Sequence, residues 1–139
     1  MKQMQQTLAL QSRGRGMINI TADVEAWVRQ SGITTGLLNL FVQHTSCSLM
    51  IQENADPDVL TDMERFMARL VPDGDPMFIH RAEGPDDMPA HIRMALTQVS
   101  LNIPVSDGRL SLGIWQGIYL YEHRTHAMRR KVLLHLSGR

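Results

Sequence analysis

The chain has 139 residues, 43% of them hydrophobic and 20% charged, with a formal net charge of zero. These values fit one globular domain over residues 1–139 and argue against a general nucleic-acid binder, which carries a basic face. A single cysteine, Cys47, allows no intramolecular disulfide and no cysteine-based zinc site, and suits a reducing cytoplasm. No run approaches the roughly 20 apolar residues that span a bilayer, and the first residues, MKQMQQTLALQSRGRG, do not resemble a signal peptide.

Polar and apolar residues partly alternate in Gln6–Gln11 and again in Met17–Ile20, with Gly14-Arg15-Gly16 between them. This predicts a β-hairpin or meander. Thr21 or Asp23 can cap a short helix through Gln30, with Val24, Trp27 and Val28 on one face and Gly32 ending it. Gly36–Val42 is nearly continuous in apolar residues, as in a central strand, and His44–Ile51 continues extended after a break.

Asp56-Pro57-Asp58 opens a second helix. Asp56 suits the cap, Pro57 the first helical position, and Asp58 the positive end of the dipole. Val59, Met63, Phe66, Met67 and Leu70 recur at helical spacing, and Val71-Pro72-Asp73-Gly74 stops the run. A third helix is expected from about Met88 to Thr97, with Ile92 and Leu96 inward. Strands are expected at Ser100–Val105, Leu110–Ile114, Gly117–Glu122 and Met128–Leu136. Strands at both ends with helices between them give an α+β class, the sheet curling into a sandwich or partial barrel. Trp115 is expected in the core, as indoles usually are, and Cys47 in the packing.

The chemistry-bearing residues concentrate in three places. The densest is HRAEGPDDMPAH, residues 80–91, with two histidines and three carboxylates. Asp87 and His91 are four apart, so they share a helical face if the helix starts early enough; otherwise Asp87 caps that helix. The second place is Glu122-His123 at the end of the aromatic strand. Strand neighbours point to opposite faces, so both enter one pocket only if the strand breaks there. Arg124 beside them can pair with a phosphate or a carboxylate. The third is the strand-to-helix turn carrying Asn54 and Asp56.

Imidazole and carboxylate ligate zinc and other first-row metals. His44, His80, His91 and His123 supply enough ligands if the fold gathers them, although no HExxH or paired-cysteine spacing is present. The same groups can act without metal as general acid and base. A nucleophile at Ser48 or Cys47 is disfavoured because no Gly-x-Ser-x-Gly elbow occurs.

Four stretches in this order, QHTSCSLMIQENADPDV, HRAEGPDDMPAHIR, VSLNIPVSDGRLSLGIWQGIYLYEHR and RRKVLLHLSG, resemble the YjbQ-like family, also labelled the secondary thiamine-phosphate synthase family. The resemblance covers roughly residues 36–138. It implies a curved α+β sandwich or barrel-like sheet with helices outside, and a homotrimer. It also implies an enzyme that joins a pyrimidine diphosphate to a thiazole phosphate with release of pyrophosphate, as a side capacity. The partner would then be a small phosphorylated molecule. Matched by position, the site comprises His44, His80, His91 and His123 toward a divalent metal, zinc or magnesium. Asn54, Asp56, Glu83, Asp87 and Glu122 would serve orientation or proton transfer. After His123 this chain reads Arg-Thr-His-Ala-Met, where family members often carry a Gly- or Asp-containing turn, so His126 is left outside the set.

The label and the residues pull apart at one point. Magnesium prefers carboxylate and phosphate oxygens, whereas a histidine cluster suits zinc. A metal-dependent hydrolase of unknown substrate that uses the His/carboxylate cluster and a non-catalytic trimeric binding protein are the alternative readings.

Overall fold

The computed structural model describes residues 1–139. Eight strands and three helices follow one another as β1 (Lys2–Gln11), β2 (Gly16–Asn19), α1 (Thr21–Ser31), β3 (Thr35–Val42), β4 (Cys47–Glu53), α2 (Pro57–Leu70), α3 (Asp87–Leu96), β5 (Ser100–Ser106), β6 (Arg109–Leu110), β7 (Gln116–Glu122) and β8 (Arg129–Gly138). Five strands form one antiparallel sheet in the order β1-β8-β3-β5-β6 and three form another in the order β2-β7-β4. The two sheets curl around a shared core, giving the expected α+β class.

The core follows from period-two alternation. On β8, Arg130, Val132, Leu134 and Leu136 are buried, and on β5, Leu101, Ile103 and Val105 are. They meet Leu38, Leu40 and Val42 of β3, Cys47 and Leu49 of β4, and Ile118 and Leu120 of β7. Helix α1 closes one side with Val24 and Val28, and Gly32 ends it in the left-handed conformation at φ 72°. On α2, Asp56 caps Asp58 N–H through its carboxylate and Pro57 opens the first turn, as the sequence predicts.

Several local expectations are corrected. Residues 6–20 are not a hairpin: β1 pairs with β8 and β2 with β7, in separate sheets. Gly14 at φ 107° and Gly16 at φ 150° turn the chain from one sheet to the other. The cap of α1 is Ile20, with no side-chain cap bond; the Thr21 hydroxyl instead accepts from Ile118 N–H. The strand expected at Leu110–Ile114 stops at Leu110, because Gly113 N–H turns onto the Gln116 side chain. Trp115, in that turn, is 61% exposed and not in the core. On α2 the apolar spacing is real, but Phe66 and Leu70 face outward and only Met67 is buried. Helix α3 buries Asp87, Pro89, Ala90 and Arg93, with Ile92 half-buried, whereas Leu96, expected inward, is exposed.

Candidate metal centre

Chain reversal between α2 and α3 builds the site. The backbone N–H of Gly74, a residue at φ 71°, donates to the Pro85 carbonyl and closes the base of the connecting loop. Arg15 holds the near end of that loop, donating from both guanidinium nitrogens to Asp73 at 2.8 and 3.0 Å and also reaching the His123 carbonyl. The far end runs through Gly84, at φ 105°, into α3.

His80, Glu83, Asp87 and His91 converge there, with one ligand atom from each lying within 4.8 Å of all the others. Asp87 is the first residue of α3, so its carboxylate also sits at the positive end of the helix dipole. Its Oδ2 lies 2.7 Å from His80 Nε2 and 3.1 Å from His91 Nε2. Of the two readings the sequence allows for Asp87, orienting His91 across one turn is the one realised. Asp86 occupies the cap position and makes no cap bond. Glu83 Oε2 stands 3.6 Å from His80 Nε2 and its side chain is 63% exposed, the most open of the four.

A second layer holds the first. Arg124 reaches Asp87 Oδ1 at 3.0 Å, Asp86 Oδ2 at 2.9 Å and the Glu83 carbonyl at 2.9 Å. One guanidinium thereby ties the end of β7 to both acidic residues and to the loop. Burial alone would raise the Asp86 carboxyl, but the bond from Arg124 and the Thr125 N–H outweigh it and hold it at about 2. Asp87 is likewise kept below the usual carboxylate range. Burial opposes this, and the bond from His80 with the Arg124 charge prevails.

The ring of His91 is fixed from the other side. Its Nδ1 lies 2.8 Å from the Thr45 carbonyl oxygen, which can only accept. Nδ1 therefore carries the proton, and in the neutral ring Nε2 directs a lone pair at the Asp87 carboxylate. Two acceptors facing each other at 3.1 Å repel unless a cation lies between them or the ring is doubly protonated. An imidazole whose far nitrogen donates to a carbonyl is the usual second-shell arrangement of a metal ligand. Ligand atoms about 2.0 Å from a tetrahedral zinc stand roughly 3.3 Å apart; the Asp87–His91 and Glu83–His80 separations of 3.1 and 3.6 Å bracket that value, while Asp87 and His80, at 2.7 Å, are in direct hydrogen-bond contact. Two imidazoles with two carboxylates match zinc or another first-row metal better than magnesium.

The other positions named from the sequence lie outside this cluster within one chain. His44 Nε2 accepts from Lys131 N–H at 2.8 Å; burial first, and then the Arg130 charge, lower its affinity for a proton. His123 is fully buried, with Nε2 2.8 Å from the Ser48 hydroxyl, and burial with the nearby arginines lowers it to about 3. Glu122 points to the opposite side of β7, as alternation requires, and binds Arg130 and the Ser12 hydroxyl. Burial there is outweighed by those bonds, so Glu122 stays below its ordinary value. Asn54 braces the Ile114 and Gln116 carbonyls, and Asp56 is the cap of α2. Sequence reasoning missed the Thr45 carbonyl and Asp86, and left Arg124 without an assigned partner. A backbone carbonyl leaves no trace in residue identity; the Asp-Asp pair was the one signal available.

The model of the family described as UPF0047 protein YjbQ-like matches residues 6–139. The chain is 51% identical over 137 residues to the UPF0047 protein sll1880 of Synechocystis, covering 99% of this chain and 93% of that one. It is 46% identical to the UPF0047 protein YjbQ of Salmonella typhimurium, covering 96% and 97%. Among solved structures, the conserved hypothetical protein TT1486 of Thermus thermophilus superposes with a TM-score of 0.82 at 38% identity, covering 92% of this chain and 96% of that one. A YjbQ/UPF0047 family protein of Clostridium acetobutylicum gives 0.84 at 34% identity, with 96% and 99% covered. The chain therefore belongs to the YjbQ-like UPF0047 family.

Proposed function

We propose that this protein is a metal-dependent enzyme acting on a small phosphorylated molecule, with His80, Glu83, Asp87 and His91 holding zinc or a similar divalent ion. The single observation that carries this reading is the orientation of His91, whose Nδ1 lies 2.8 Å from the Thr45 carbonyl oxygen while its Nε2 faces the Asp87 carboxylate at 3.1 Å. When bound, the ion would supply Lewis-acid charge beside phosphate oxygens. Asp87, clamped by Arg124, holds its ligand oxygen in place. Glu83, the most exposed of the four, stands on the solvent side of the site, where substrate would approach.

The reaction that the sequence resemblance implies is the joining of a pyrimidine diphosphate to a thiazole phosphate with loss of pyrophosphate. Positive charge placed against a departing diphosphate is what such a displacement requires. A second reading, metal-assisted hydrolysis of another phosphorylated compound, is favoured by the two imidazoles, since zinc rather than magnesium suits that donor set.

Elemental analysis of tag-free protein purified without chelator, beside His91→Ala, tests the centre. About one transition metal per chain in the parent, lost in the variant with the fold retained, supports it. Metal-free parent protein that also takes up none on dialysis against zinc would overturn it. Assays of both reactions with the loaded enzyme then separate the two readings.

A further inference from the structure

A cavity of about 350 Å³ opens beside His80, walled by Gly74, Asp75, Pro76, Phe78, Arg81 and Pro85. That volume is at the small end of the range for bound small molecules. Arg81 is the one arginine or lysine on its wall. Its guanidinium is not free to wander: Nε donates to the Phe78 carbonyl at 2.6 Å and Nη2 to the Pro76 carbonyl at 2.9 Å. These bonds use the Nε edge of the group. The Nη1–Nη2 edge retains its N–H donors in the fork that matches two oxygens of a phosphate or carboxylate.

Holding an arginine by two backbone carbonyls costs the loop two acceptors and orders a long side chain before any ligand arrives. Such preorganisation reduces the entropy lost on binding. The neighbouring groups decide the charge of the ligand. Asp75 accepts from Met77 N–H within its own turn, while Glu83 and Asp87 belong to the metal cluster. A divalent ion would cancel those two carboxylates. His80 is the one member of the cluster on the cavity wall, so an ion held there would lie next to the cavity that Arg81 lines.

We propose that this cavity is the substrate pocket of the metal centre and that Arg81 anchors an anionic phosphoryl group of the substrate. This inference rests on the reading of the centre given above. Apolar Pro76, Phe78 and Pro85 would contact the uncharged part of the ligand.

The test uses the full chain, as parent, Arg81→Met and Arg81→Lys. Each is prepared chelated and, separately, dialysed against zinc and desalted, with zinc content measured by elemental analysis. Inorganic phosphate is then titrated by calorimetry. The expected result is phosphate binding to the zinc-loaded parent, weakened about ten-fold or more in Arg81→Met, with zinc content unchanged. Arg81→Lys, which keeps the charge and loses the fork, should fall between them, and it serves alone if the methionine variant loses its fold. Equal phosphate affinity in parent and variants, or none in the loaded parent, overturns the subsite and leaves the centre standing. Failure to hold zinc overturns the centre. In that case phosphate binding that still depends on Arg81 would support the subsite alone, and its absence would end both.

Discussion

His91 and Thr45 stand 46 positions apart in the chain, yet His91 Nδ1 lies 2.8 Å from the Thr45 carbonyl oxygen. This one bond selects the tautomer of His91 and aims its other nitrogen at Asp87. Nitrogen-15 NMR of zinc-loaded protein should therefore show His91 with its proton on Nδ1. A spectrum with the proton on Nε2 would contradict the ligand assignment.

Arg124 is expected to act on the centre without touching the ion. Replacing it with methionine leaves all four ligand side chains present but frees Asp87 to rotate. Loss of such outer partners costs about 10–100-fold in metal affinity. Asp86 and Asp87, both buried, would also lose their counter-charge, which costs about 3–5 kcal/mol of stability. A zinc competition titration and a urea melt measure the two effects separately. Unchanged zinc affinity in a folded Arg124→Met protein would show that Asp87 needs no such clamp.

Glu122 predicts the opposite pattern. It is fully buried against Arg130 and Ser12 and is not among the four clustered residues. Glu122→Ala should lower stability by about 3–5 kcal/mol, because Arg130 is left buried and unpaired. Zinc stoichiometry in whatever fraction stays folded should match the parent. Loss of zinc from folded Glu122→Ala protein would place Glu122 in the metal site after all.

Acid should weaken the fold through His123. Burial, reinforced by the charges of Arg93, Arg15 and Arg130, lowers its folded value to about 3, from 6.5 in the unfolded chain. Between those values the unfolded chain binds a proton that the folded chain refuses. Stability therefore falls as pH drops from about 6.5 toward about 3, by at most about 1.4 kcal/mol per pH unit. Asp86 adds a loss of the same sign lower down, as pH falls from 3.8 through its folded value of about 2. Urea melts of chelated protein between pH 7 and 4 should show the slope, and His123→Gln should flatten it. An equal slope in the variant would rule His123 out as its source.

The crossing of β3 and β8 should tolerate no side chain. Gly36 faces Gly138 across the ladder, and a Cβ on Gly36 would overlap the Ser137 carbonyl oxygen, while one on Gly138 would overlap the Thr35 carbonyl oxygen. Both obstacles are backbone, so the strands would have to separate. Gly36→Ala should cost about 1–3 kcal/mol or more, read as a lowered Tm. A Tm equal to the parent's would show that the strands part without penalty.

Short-range physics made much of this protein legible from its residues alone. Alternation placed most strand cores, Asp56-Pro57 marked the start of α2, and the four-residue spacing of Asp87 and His91 anticipated their contact. His80 and Glu83 joined them because a tight loop keeps near neighbours in sequence near in space. Long-range pairing could not be read that way. Local pattern cannot say that β2 leaves β1 to join β7, nor on which side of β7 Glu122 and His123 end up. Nor can it show that Arg124 is drawn to Asp86 and Asp87, or that a carbonyl on Thr45 sets the His91 ring. The sequence by itself determined which chemical groups could form a metal centre, because side-chain identity and spacing carry that information. Only the tertiary structure decided which of them meet, because sheet pairing and backbone acceptors join residues that no local spacing connects.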